Sequence, residues 1–152
     1  MKVFSQEWLE AYKDAINANE NYKAAASWWE GDFIFVIEPS GNLKEELHLF
    51  LGLYKGECTG VKRLGPDEEF EVLKPGSPPR PLGEGDKVGV EFVFSGPYDN
   101  WLKVMDKELD PIQGLMAGKF KLVGNMAKVM RATKAAQELV NATTVIEGGE
   151  LL

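Results

Sequence analysis

The segment that decides the fold lies in the second half of the chain and reads SGPYDNWL at 95–102, LDPIQGLMAGKFKLVG at 109–124 and NMAKVMR at 125–131. Pro97 suits the first position of a helix that carries a tryptophan, because the amide that proline lacks would be unpaired there anyway. Asp110 is placed to cap a second helix, with Pro111 at its first position and Gln113 at the capping-box spacing. Gly118 suits the left-handed residue that ends this helix. The segment therefore predicts two short helices in succession.

A strand and a final helix are predicted after these two helices. Apolar and basic residues alternate over 119–123, which predicts a half-buried strand with Phe120 and Leu122 directed inward. A helix predicted for 125–140 has an apolar face that consists of Met126, Val129 and Met130. Large apolar residues dominate all of these elements, and residues suited to catalysis are almost absent from them.

The first half of the chain predicts a helix followed by a hairpin. Ser5 is placed to cap a helix over 6–19. The apolar face of this helix consists of Trp8, Tyr12, Ala15 and Ile16. A strand predicted for 32–38 has apolar residues on both of its faces, which is typical of a central strand. The strand predicted for 46–54 alternates with its leucines inward, and the short turn between the two strands predicts a hairpin.

A further strand is predicted for 88–95, with Val88, Val90, Phe92 and Phe94 on its inward face. The order of elements predicts a single α+β domain over 1–152, with a mostly antiparallel sheet of about five strands and helices chiefly on one face. The proline- and glycine-rich residues 74–86 are expected to form a surface loop. Residues 141–152 are expected to form a loosely attached tail.

Composition excludes several classes of function. The chain has 152 residues, a formal net charge of −7 and one cysteine. A negative protein is a poor partner for nucleic acid, whose binding depends on neutralising phosphates. No apolar run is long enough to cross a bilayer, so stable membrane insertion is not expected. A single cysteine and the lack of a visible signal peptide favour a cytoplasmic location.

The sequence offers no recognisable catalytic or metal centre. His48 is the only histidine, and it faces away from the leucines of its own strand, so no nucleophile, base and orienting group come together. Cys58 is read as an inert thiol, and one histidine with one cysteine does not make a typical zinc site. No cofactor is expected. Gly124 and Asn125 open a helix beside several lysines, which leaves either an anion site or a simple turn there.

The order of these motifs resembles the sterol carrier protein type 2 family over nearly the whole chain. The resemblance implies a non-catalytic carrier that holds a fatty acid, a fatty acyl-CoA or a sterol- or isoprenoid-like lipid in an apolar tunnel between sheet and helices. The lining that it implies is Phe35, Phe92, Phe94, Trp101, Met105, Ile112, Leu115, Met116, Phe120, Leu122, Met126, Val129 and Met130. The mouth of the tunnel is expected near the last helix, and Met126→Trp is expected to fill the tunnel.

The chain also departs from the family pattern. Many members have Gly-Asp where this chain has Gly124 and Asn125, and the region 55–87 is longer and richer in proline than expected. Three alternatives remain open at this point. The same apolar residues could form a solid core, or they could form a protein–protein interaction or dimerisation surface, so either a monomer or a homodimer is compatible with the sequence. The third alternative is an enzyme that acts on acyl or isoprenoid substrates, for which the sequence shows neither a base nor a nucleophile.

Overall fold

The computed structural model describes residues 1–152 of the chain. The helices are α1 (Gln6–Asn17), α2 (Glu20–Ala25), α3 (Tyr98–Met105), α4 (Pro111–Met116), α5 (Met126–Arg131) and α6 (Thr133–Thr143). The strands are β1 (Phe33–Glu38), β2 (Leu47–Tyr54), β3 (Glu57–Arg63), β4 (Phe70–Val72), β5 (Val88–Val90), β6 (Phe92–Pro97) and β7 (Lys121–Val123).

Five strands form the main sheet in the order β3-β2-β1-β6-β7. The β1–β6 pair is parallel, and the other three pairs are antiparallel. The two remaining strands, β4 and β5, form a small parallel sheet of their own. This architecture confirms the predicted α+β domain with a mostly antiparallel sheet of about five strands.

The central strand β1 is buried on both faces, as its sequence predicts. Phe33 and Ile37 belong to the large core beneath the helices. Ile34 and Val36 belong to a small second core on the opposite face, which contains no helical residue. The helices therefore pack on one face of the sheet, and the only layer on the other face is formed by the segment that carries β4 and β5.

The helix boundaries follow from capping side chains. The Ser5 hydroxyl accepts a hydrogen bond from the amide of Trp8 at 3.1 Å, and the Asp110 carboxylate accepts from the amides of Ile112 and Gln113 at 3.0 Å each. Both caps were predicted. Pro97 differs from its prediction, because it occupies the extended cap position and α3 begins one residue later.

The strand predicted for 88–95 is wrong as a single element. It divides at the buried Glu91 into β5 and β6, which belong to different sheets. Because the break changes which side chains share a face, Val90 packs in the second core while Phe92 and Phe94 pack beneath the helices. The predicted common inward face of these residues is therefore incorrect.

The C-terminal part of the chain also differs from expectation. The helix predicted for 125–140 divides at Ala132 into α5 and α6, and α6 continues to Thr143. Beyond it, the backbone of Glu150 exchanges hydrogen bonds with the first residues of the chain, and the amide of Leu152 donates to the Tyr98 hydroxyl at 3.0 Å. The end of the chain is therefore tied to the fold rather than loosely attached. Residues 74–86 contain no helix or strand and are mostly exposed.

Candidate functional site

An apolar cavity of about 110 Å³ lies between the helix-covered face of the sheet and the helices. Seventeen of its nineteen lining residues are hydrophobic. The sheet contributes Phe33, Phe35, Leu49, Leu51 and Phe94. The helices and their flanking residues contribute Phe4, Trp8, Leu9, Tyr12, Trp101, Val104, Met105, Pro111, Ile112, Val129, Ala136, Leu139, Val140 and Thr143. The cavity is comparable in size to an engineered apolar cavity of about 150 Å³ that stays dry and binds benzene.

Several predicted site residues come together around this cavity. They are Phe35, Phe94, Trp101, Met105, Ile112 and Val129. Trp101 anchors the group, because its indole N–H donates to the carbonyl of Gly96 at 3.0 Å and its ring lies 5.1 Å from that of Phe35. The indole is thus held in place by the backbone while its apolar surface faces the cavity.

Three other predicted residues are packed in the core behind or beside the lining. Phe120 stacks on Phe94 with a centroid distance of 4.8 Å and lies behind it. Phe92 stacks on Phe33 at 5.0 Å and is fully buried. Leu115 is also a buried core residue. None of the three lines the cavity.

Four predicted residues lie towards the surface. Leu122 and Met130 are partly buried against the core. Met116 is 70% exposed and Met126 is 47% exposed. Met126→Trp therefore does not fill the cavity and does not test it, because the side chain at this position faces solvent.

The lining residues that the sequence did not indicate come mainly from α1 and α6. The apolar face of α1 was visible in the sequence, but Trp8 and Tyr12 carried no sign that they border a cavity rather than a packed core. Leu139 and Val140 of α6 belong to a helix whose start was misplaced. The hydroxyl of Tyr12 donates to the carbonyl of Leu139 at 2.9 Å, so one hydrogen bond joins α1 to α6 at the cavity. Burial holds the pKa of Tyr12 far above its usual value, so the hydroxyl stays neutral.

A polar depression of about 280 Å³ adjoins the cavity where α6 meets the start of α4. It shares Val104, Pro111 and Val140 with the cavity. Its polar lining consists of Lys107, Asp110, Gln137 and Asn141. This depression is the polar surface next to the apolar volume.

The reactive side chains lie away from the cavity. Cys58 is buried, and burial raises the pKa of its thiol to about 12. His48 contacts the carboxylate of Glu46 at 2.7 Å and is not part of the cavity lining. No group of histidine, cysteine, aspartate and glutamate side chains is arranged to hold a metal ion.

The turn at Gly124 and Asn125 serves the start of α5. The Asn125 side chain accepts a hydrogen bond from the amide of Lys128 at 3.1 Å and so occupies the end of this helix. Gly124 has a φ of 127°, and a Cβ there would lie 2.4 Å from a ring carbon of Phe92. Helix capping and packing against Phe92 therefore explain why Asn125 and Gly124 occupy this turn, without a bound anion.

The fold and the cavity together define a small α+β domain with an apolar internal volume. Residues 12–137 match the SCP-2 sterol transfer family, so the chain belongs to this family. Membership supports a general role in lipid binding or transfer. No curated protein matches the chain. No helix of the structure combines the length and the apolar character needed to cross a membrane.

Solved structures agree with this assignment. A crystal structure of sterol carrier protein 2 is 26% identical, with a TM-score of 0.75 over 95% of this chain and 99% of that chain. A conserved hypothetical protein from Thermus thermophilus is 27% identical, with a TM-score of 0.74 over 94% of this chain and 88% of that chain. The apo form of sterol carrier protein 2 from Yarrowia lipolytica is 13% identical and shares the fold, with a TM-score of 0.55 over 96% of this chain and 100% of that chain.

Proposed function

We propose that this protein is a non-catalytic lipid carrier that holds the apolar chain of a fatty acid, a fatty acyl-CoA or a sterol- or isoprenoid-like lipid between its sheet and α1, α3 and α6. The observation that supports this proposal is the apolar cavity beneath the helices. Apolar cavities of this size in proteins bind apolar molecules.

The energetics of such binding are favourable without specific polar contacts. Burial of each CH₂ group yields about 0.8 kcal/mol, so a long acyl chain gains on the order of 10 kcal/mol before association and ordering costs. A long chain has several times the volume of benzene, and the cavity must therefore widen as it enters. The lining comes from separate helices and strands, and displacement of helices such as α6 is the route that we propose for this widening.

The burial of the apolar lining favours a carrier over an interaction module. A docking surface for a partner would be an exposed apolar patch, whereas Phe94 and Trp101 are buried side chains that face an internal volume. An enzyme acting on the same lipids would need a base or nucleophile at the cavity. The two hydroxyl groups of the lining, on Tyr12 and Thr143, do not supply one. The Tyr12 hydroxyl is neutral and donates to the carbonyl of Leu139, and the Thr143 hydroxyl donates to the carbonyl of Val140.

Native mass spectrometry of the gently purified protein tests the proposal. We expect about one bound lipid per chain, and we expect the delipidated protein to take up a fluorescent fatty acid with a stoichiometry of about one, since the chain holds one such apolar volume. A stable dimer with no lipid would support the interaction module instead. A protein that neither carries lipid nor takes up the probe would refute the carrier.

A further inference from the structure

The surface loop over 74–86 contains a run whose backbone freedom is restricted at every residue. Residues 77–81 read SPPRP, so each of the five is a proline or directly precedes one. Proline fixes its own φ at about −65°, and the residue before a proline is driven to extended or polyproline II backbone. None of the five belongs to a helix or a strand in the structure. The run is therefore suited to a polyproline II helix, which has three residues per turn and no internal hydrogen bonds.

The burial of this run repeats every three residues. The half-buried residues are Ser77 and Arg80, and the exposed residues are Pro78, Pro79, Pro81 and Leu82. Residues i and i+3 lie on the same edge of a polyproline II helix, so the half-buried pair places one edge against the domain. The two remaining edges are apolar and exposed, and each carries a pair of side chains about 9 Å apart. We use the term proline ridge for these two edges, one formed by Pro78 and Pro81 and the other by Pro79 and Leu82.

Arg80 fastens the inner edge of the run to the small sheet. Its guanidinium donates to the carbonyl of Lys87 at 2.8 Å and to the carboxylate of Glu71 at 2.7 Å. It also covers the backbone of Gly89, where a Cβ would lie 2.9 Å from the Cζ atom of Arg80. Glu71 belongs to β4 and Gly89 to β5, so one side chain holds the run to both strands.

Hydrogen-bonded turns hold both ends of the run. The amide of Ser77 donates to the carbonyl of Lys74 at 3.0 Å, and the amide of Glu84 donates to the carbonyl of Pro81 at 3.1 Å. No residue over 77–82 belongs to either hydrophobic core. The proline ridge is therefore held rigidly on the surface, and core packing does not explain its exposed rings.

We infer that the proline ridge is a docking site for a protein domain whose groove is lined by aromatic side chains. Such grooves receive polyproline II segments with prolines three residues apart, and a segment already held in this conformation loses little entropy on binding. A groove of this kind contacts two edges of the helix, and two edges of this run lie in solvent. Because Glu71 engages Arg80, the affinity depends on the proline rings rather than on a basic side chain.

The proline ridge and the apolar cavity lie on opposite faces of the main sheet. The ridge is fastened to β4 and β5, which lie on the face without helices, whereas the cavity lies beneath the helices. A partner can therefore bind the ridge while a lipid occupies the cavity. The inference does not depend on the proposed carrier function.

Titration of the isotope-labelled full chain with a panel of purified SH3 and WW domains tests the inference by nuclear magnetic resonance. We expect at least one domain to bind and to shift the amide signals over 77–84 but not those of α6. A synthetic polyproline peptide is expected to displace the chain. Pro78→Ala with Pro81→Ala is expected to weaken binding at least about tenfold, because it removes two anchoring rings and frees the backbone. Pro39→Ala with Pro66→Ala is the matched control, since both prolines are exposed and lie outside the ridge.

The outcomes separate docking from its alternatives. Absence of binding to every domain of the panel, signal shifts confined to other surfaces, no displacement by polyproline, or an equal loss in the control pair would overturn the inference. A dimer in analytical ultracentrifugation that Pro78→Ala with Pro81→Ala dissociates would show that a second copy covers the ridge, and would also overturn it. Thermal unfolding of both variant pairs at the wild-type temperature ensures that a loss of binding reflects the surface. The signal shifts are measured on the wild-type chain, so they decide the question even where a variant unfolds at a lower temperature.

Discussion

Replacing Ala136 by leucine tests whether the apolar volume beneath α6 is open space. Ala136 lines the cavity, whereas Ala135 beside it on α6 is buried in the core and does not line it. The substitution adds an isopropyl group next to a cavity of about 110 Å³. At about 0.8 kcal/mol for each buried carbon group, the gain in unfolding free energy lies between zero and about 2 kcal/mol. Ala135→Leu adds the same group to packed surroundings and should cost about 1–3 kcal/mol.

Urea unfolding of the two variants measures this difference in unfolding free energy. Both variants replace alanine by leucine on the same helix, so the change in helix propensity is the same and does not affect the comparison. Ala136→Leu should also reduce uptake of a fluorescent fatty acid, because the new side chain occupies the volume that the lipid needs. Ala135→Leu should bind the probe as the wild type does wherever it is folded. If Ala136→Leu loses as much stability as Ala135→Leu, or takes up the probe as well as the wild type, the reasoning is refuted.

Three further predictions concern buried groups near the sheet. Burial raises the pKa of Asp32 from 3.8 to about 6, and the charge of Glu91 adds a smaller effect, whereas the hydrogen bond from the Leu53 amide lowers it. The folded protein therefore binds the proton more tightly than the unfolded chain does. The resulting stabilisation is complete below pH 3.8 and is lost as the pH rises through about 6. In the wild type, the unfolding free energy measured by urea titration should change by up to about 3 kcal/mol between about pH 4 and 7 through this group, and Asp32→Asn should remove that change. An unchanged pH profile of the variant would contradict the prediction. Cys58 should resist alkylation by iodoacetamide at about pH 8 in the folded protein, since its thiol has a pKa of about 12, and rapid labelling would show otherwise. Gly124→Ala should lower the unfolding free energy more than Gly118→Ala does. Both positions have a positive φ, which costs an alanine about 1–3 kcal/mol of strain, but only at Gly124 would the new Cβ also collide with the ring of Phe92. Equal losses in urea unfolding would contradict this.

Much of the fold was predictable because local signals and burial agree there. At the Ser5 and Asp110 caps, the side chain accepts a hydrogen bond from an amide only two or three residues further along the chain. Both partners of each bond can therefore be recognised in a short piece of sequence. The two-sided burial of β1 follows from an unbroken apolar run, which places the strand at the centre of a sheet. These features depend on neighbours in the sequence.

The parts that were not predicted depend on distant contacts. The break at Glu91 shifts the burial pattern between β5 and β6, and it is held by contacts from Lys128 and from the amide of Gly76. Alternation alone continues through this position without interruption.

The cavity was predicted only in part for a related reason. Periodicity shows which side of a helix is apolar, but it does not show whether that side meets atoms or empty space. Phe94 and Phe120 have the same sequence character, yet one borders the cavity and the other stacks behind it. Met126 is the first residue of α5, a separate short helix that the sequence pattern merged with α6, and its side chain is exposed.

The most direct test of the central claim is tryptophan quenching by a fatty acid that carries bromine atoms in the middle of its chain. Trp8 and Trp101 line the cavity, whereas Trp28 and Trp29 do not. The variant with Trp28→Phe and Trp29→Phe should therefore lose most of its fluorescence as one brominated chain binds, because bromine quenches at contact. The variant with Trp8→Phe and Trp101→Phe should keep more of its fluorescence under the same titration, because Phe33 lies between Trp29 and the cavity. Equal quenching of both variants, or quenching of Trp28 and Trp29 alone, would contradict the claim that the lipid chain lies between the sheet and the helices.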